Sequence, residues 1–157
     1  MLEVLIFMFQ NYFGTQPQIQ TMDIEEDFLA QELSQAGFDH HDIVGAFDWY
    51  KQLRCLISQP YHQYLSNPSS FRVYVEHELE RIDAESFGFL SFLERADVIK
   101  PNERDLIIDR ALALKNQNIS IEEIRWITMM VLWNDSRKKD YLFVEDAVFN
   151  PKGLTLQ

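Results

Sequence analysis

Residues 1–14, MLEVLIFMFQNYFG, are nearly all apolar in a chain of 157 residues with a formal net charge of -11. A transmembrane helix needs roughly 20 consecutive apolar residues, and this run breaks at Gln10 and Asn11 and ends at Gly14. A secretion signal needs a basic start and a small-residue cleavage site, whereas the third residue is Glu3 and no A-x-A pattern follows. Both membrane readings fail. What remains is a three-turn helix over residues 2–13, apolar on most of its circumference, of the kind that packs on several sides.

Working outward, Gly14 and Pro17 in the polar stretch GTQPQIQT mark the end of that helix. Asp23 with Glu26 forms a capping box for a second helix that Gly37 stops. Asp39 and Asp42 open a third, in which Ile43, Ala46, Phe47, Tyr50 and Leu53 recur at helical spacing. The short link AGFD makes the pair a helix-turn-helix in outline. Between residues 58 and 75 the period changes. YHQYL and FRVYV flank SNPSS, turn residues around Pro68, which predicts a short β-hairpin. The second half reads as helices alone. Asp83 caps one that carries Phe87, Leu90 and Leu93; Pro101 begins the next; Ser120 with Glu123 caps IRWITMMVLWN; a last amphipathic segment spans residues 141–149.

The expected fold is therefore mainly α. It is a helical bundle with a winged-helix-like N-terminal half over residues 1–75, made of a helix-turn-helix plus a short β-hairpin. An all-helical half over residues 76–150 packs on the same core, and residues 151–157 form a loose tail. Twelve phenylalanines against five glycines and five prolines suit such a body.

Four segments together resemble the Smg family of bacterial proteins: AGFDHHDIVGAFDWY (residues 36–50), FRVY (71–74), ERIDAESFGFLSFLE (80–94) and RALALKNQNISIEEIRWITMMVLWN (110–134). The likeness runs from the opening helix to about residue 150, and its specificity lies in the combination and order of the pieces. The resemblance implies a cytoplasmic, bacterial protein with no established activity, cofactor or catalytic residue. It also implies a link to DNA-processing factors, since some family genes neighbour a DNA-processing gene. One departure stands out. The family favours Thr-Pro where this chain has Val75-Glu76, and loss of a hydroxyl N-cap weakens a helix start by roughly 1 kcal/mol.

Charge bounds the partner class. Residues 23–50 carry eight acids and neither Lys nor Arg, so this helix-turn-helix would present a negative wall to phosphates. The alternative, direct nucleic-acid binding, rests on Arg72 of the expected hairpin and on the turn of Arg137, Lys138 and Lys139. That patch is too small to carry such affinity alone. His40 and His41 are adjacent, and His62 and His77 have no second ligand at metal spacing, so no metal is expected. Glu76, Glu80 and Asp83 share a helical face at i, i+4, i+7, yet their polar neighbours make this a solvated face rather than an acid–base pair. The lone Cys55 lies between Leu53 and Leu56 and reads as core. No phosphate loop or nucleophile motif occurs, so no catalytic residue and no cofactor are expected.

Surplus apolar helix is the remaining signal: the opening helix, FGFLSFL and WITMMVLW are apolar nearly all round. The reading is a non-enzymatic cytoplasmic interaction or regulatory protein whose apolar surface, rimmed by acids, meets a basic or nucleic-acid-associated protein. Trp49, Arg72, Tyr74 and Trp133 are the candidate surface residues, and self-association remains open.

Overall fold

Apolar spacing and capping residues produce helices throughout the computed structural model, which describes residues 1–13, 26–59, 73–134, 142 and 144–146. In chain order these are α1 (Leu2–Met8), α2 (Glu26–Gln35), α3 (His40–Ser58), α4 (Glu76–Arg81), α5 (Ala84–Arg95), α6 (Pro101–Leu112) and α7 (Ile121–Asn134), with a π-helical turn, Phe9–Phe13, directly after α1. Two compact units divide the chain, Met1–Gln52 and Leu53–Gln157, so their boundary falls inside α3.

The first unit holds α1, α2 and most of α3. Val4, Leu5, Met8 and Phe9 are buried, so the opening stretch is a packed element. The Phe7 ring meets Phe38 edge-on, centroids 5.3 Å apart, and the Met1 amino group lies 3.2 Å from Asp42. Gly45 in α3 permits this approach, because a Cβ there would stand 3.2 Å from the Met1 sulfur. The expected single α-helix over residues 2–13 is corrected in its last turn. The Asn11 side-chain amide donates to the Phe7 carbonyl at 2.8 Å. That is the acceptor Asn11's own N–H would use in an α-helix, and the turn widens to π. Asp23 lies outside the described residues, so its capping box does too. Gly37 ends α2 as expected. At φ 96° it lets its own N–H reach the Ser34 carbonyl and the Phe38 N–H reach the Leu33 carbonyl. Asp39 then starts α3 by accepting from the His41 N–H at 2.7 Å.

The second unit is built around α7, against which α5 and α6 pack. All six residues 127–132 are buried. Thr128, the polar member of that run, donates its hydroxyl to the Ile124 carbonyl. Three of the helix starts here follow one rule. Glu78, Glu103 and Glu123 each accept the backbone N–H three residues earlier, from Val75, Lys100 and Ser120. Asp83 caps α5 by accepting from the Ser86 N–H, and Pro101 opens α6. Between helices, Ile82 and Ile119 form an isolated parallel bridge, with the Ile119 N–H bonded to the Arg81 carbonyl at 2.7 Å.

The winged-helix expectation finds no support. No strand occurs among the described residues: α3 continues as helix to Ser58, and residues 73–75 belong to neither strand nor helix. Residues 60–72, most of the expected hairpin, lie outside the described residues.

Candidate functional site

Extended backbone alternates its side chains between two faces. Val75 is extended and burial alternates in this way over residues 73–75: Tyr74 lies inward, half-buried with its ring 4.2 Å from that of Phe87, measured between centroids. Val73 and Val75 are consequently turned outward, 85% and 59% exposed. Val75 is also the N-cap of α4, so Leu79, one helical turn on, continues the same side at 56% exposed. Of the exposed large hydrophobic side chains among the described residues, these three cluster within seven positions. Val75 carries no side-chain cap bond, as its departure from the family pattern predicts.

Beside this strip stand the exposed Glu76 and Glu80. Asp83, which the spacing placed on the same helical face, is corrected, since α4 ends at Arg81, Ile82 is extended and Asp83 accepts the Ser86 N–H as the N-cap of α5. Their own helix supplies one arginine, and it is committed elsewhere. Arg81 reaches across the unit and donates to the carbonyls of Leu112 at 2.8 Å, Leu114 at 2.8 Å and Asn116 at 2.6 Å. The planar guanidinium suits this task, since the end of α6 leaves several carbonyls unpaired and carries the negative end of the helix dipole. The acids of α4 thus keep their charge unneutralised by Arg81.

Three further arginines of the unit are engaged too. Arg104 is buried and grips both Glu94 oxygens at 2.9 and 2.7 Å. Burial opposes its charge, but the bonds to Glu94 and the field of Asp105 outweigh that and raise its pKa. Arg110 pairs with Asp109 at 2.7 Å. Arg125 lies over the Phe89 ring, 5.6 Å from its centroid.

The remaining sequence candidates scatter. Trp49 is 3% exposed and belongs to the core, so a partner-surface role is corrected for that residue. Trp133 is half-buried near the end of α7. Arg72, His62, Arg137, Lys138 and Lys139 lie outside the described residues. Cys55 is exposed, correcting its reading as core. Two residues after the buried Leu53, it has turned about 200° round α3 and faces away. His40, His41 and His77 are exposed in the first turns of α3 and α4, and no group of three metal-ligating side chains occurs among the described residues. No helix among the described residues is long and apolar enough to cross a membrane.

The apolar strip of Val73, Val75 and Leu79 was missed from sequence, although its spacing was there to read. The segment VYV alternates as any strand does, and assigning it to a hairpin hid its register with Leu79.

A family model described as "Protein of unknown function (DUF494)" matches residues 1–156. The chain is 46% identical over 158 residues to a Protein Smg homolog of Methylobacillus flagellatus, covering 99% of each. It is 37% identical over 150 residues to one of Nitrosococcus oceani, covering 95% of this chain and 92% of the relative. Protein Smg of Escherichia coli is 36% identical over 137 residues, covering 85% of each. No solved structure matches the chain.

Proposed function

Since the chain belongs to the Smg family (DUF494), whose function is unknown, we propose that it is a non-enzymatic interaction protein that binds another protein through apolar surface rimmed by acids. One observation carries this reading: Val73, Val75 and Leu79 form a solvent-facing apolar strip at the start of α4, next to acids that Arg81 does not neutralise. Apolar side chains scattered singly over a surface need no explanation, whereas contiguous ones rimmed by charge mark contact sites. A net charge of -11 favours basic partners, proteins that handle nucleic acid among them, and speeds their encounter. The same charge disfavours nucleic acid itself. A cytoplasmic setting goes with this reading.

The test is site-specific photo-cross-linking in cells. A cross-linking residue at Leu79 should trap one discrete protein adduct, while the same residue at Glu122, exposed at the start of α7, should not. Equal trapping from both positions, or none from Leu79, refutes the reading.

A further inference from the structure

We infer that the face at the start of α4 formed by Val73, Val75 and Leu79 with Glu76 and Glu80 receives a basic amphipathic helix of another protein, its aliphatic side chains on the strip and its Lys or Arg side chains on the acids. This rests on the interaction reading above and specifies the partner's chemistry.

Three observations select that occupant. The strip is short and linear, Val75 and Leu79 being one turn apart. That matches aliphatic anchors at i and i+4 of a helix laid along it. Glu76 and Glu80 repeat with the same spacing beside the strip. A partner helix with cations on the flank of its apolar face meets all of them together. The third observation concerns compensation. Arg81 spends its guanidinium on the Leu112, Leu114 and Asn116 carbonyls, so the row awaits positive charge from outside. A second copy of this chain would bring Glu76 and Glu80 against their own likeness. An anionic lipid surface or nucleic acid would meet the same repulsion. Only a cationic polypeptide satisfies the apolar and the charged rows at once.

The experiment is a titration of the full chain, isotope-labelled for amide NMR, with two helical peptides of identical leucine pattern, one carrying lysine and one carrying glutamate at the polar positions. The lysine peptide should shift the amides of residues 73–83 first. Its affinity should fall at least tenfold between about 0.05 M and about 0.5 M salt, as partly exposed ion pairs are screened. Leu79→Asp should abolish this binding, and the Glu76→Gln, Glu80→Gln double variant should weaken it several-fold. Glu122→Gln should leave it unchanged, and amide spectra of each variant confirm that it is folded.

Shifts spread over acidic residues of α2, α3 and α7 alike would overturn the inference, as would no shift at 73–83. Equal binding of both peptides would also overturn it, yet it would leave the interaction reading standing on the Leu79 cross-link. Loss of that cross-link alongside would remove both.

Discussion

α1 and α7 look alike in sequence, both apolar almost all round, yet they end in different surroundings. In α7 all six residues 127–132 are buried. In α1, Val4, Leu5 and Met8 are buried, Leu2, Ile6 and Phe7 are half-buried, and Glu3 meets solvent. Neighbours account for the enclosure of α7: α5 and α6 both pack against it, and over residues 127–132 no side chain is left exposed. An apolar circumference states how much cover a helix can use, and the packing around it decides how much it receives.

The sharpest way to break this comparison is to cut equal side chains from both helices. Ile127→Ala should lower the urea-unfolding stability by about 3 kcal/mol, because a fully enclosed site keeps the cavity. Ile6→Ala should cost only about 1 kcal/mol, since its half-buried side chain leaves less apolar area to lose. Equal losses would mean that α1 is as enclosed as α7.

Removing the tie that holds the end of α6, and with it the connection into α7, comes next. Arg81→Ala strands three carbonyls and should cost about 2–3 kcal/mol, allowing for the part that water replaces. Arg81→Lys should recover only a fraction, because an ammonium cannot fork across three acceptors. Hydrogen exchange at residues 113–119 is the local readout, and unchanged protection there would show that Arg81 is not the tie.

Helix stops sharpen the comparison between the units further. The first unit ends α2 on Gly37 at φ 96°, while the second ends α5 on Asp97 at φ 59° with the same two backbone bonds, Asp97 N–H to Glu94 and Val98 N–H to Leu93. Gly37→Ala should destabilise by about 1 kcal/mol, since a Cβ is strained in that conformation. Asp97→Gly should change stability by less than about 0.5 kcal/mol, because the relieved strain is offset by the looser unfolded chain.

The smallest effect is confined to alkaline pH. Burial, and then the charge and hydrogen bond of Glu32, raise the Tyr12 phenol above its ordinary 10.0. The folded state therefore favours the neutral phenol. Its contribution is fully present below about pH 10 and lost as pH rises through the raised value. Melting temperatures measured across that window should fall more steeply for the natural chain than for Tyr12→Phe. Parallel curves would remove Tyr12 from the account.

Much of the helical plan could be read directly. Asp39, Asp83, Pro101 and the pair Ser120 and Glu123 begin helices where their chemistry predicts, and Gly37 ends one. The candidate site was only half legible. Its acids Glu76 and Glu80 follow from helical spacing, although Asp83, expected on the same face, lies past the end of α4; its apolar row depended on knowing that Tyr74 turns inward onto Phe87. Trp49 shows the converse error: a large aromatic on an amphipathic helix satisfies a core and a contact surface equally well by pattern, and burial chose the core.

Capping, periodicity and charge act within a few residues of one another. The sequence by itself therefore determined most of the helices, several of their ends and a net charge of -11. Which apolar side chains stay wet, why Cys55 faces solvent, and where Arg81 sends its guanidinium depend on groups remote in the chain, such as Leu112, Leu114 and Asn116 some thirty positions beyond Arg81. Only packing brings those partners together, so tertiary structure alone decided what surface the acidic helices present.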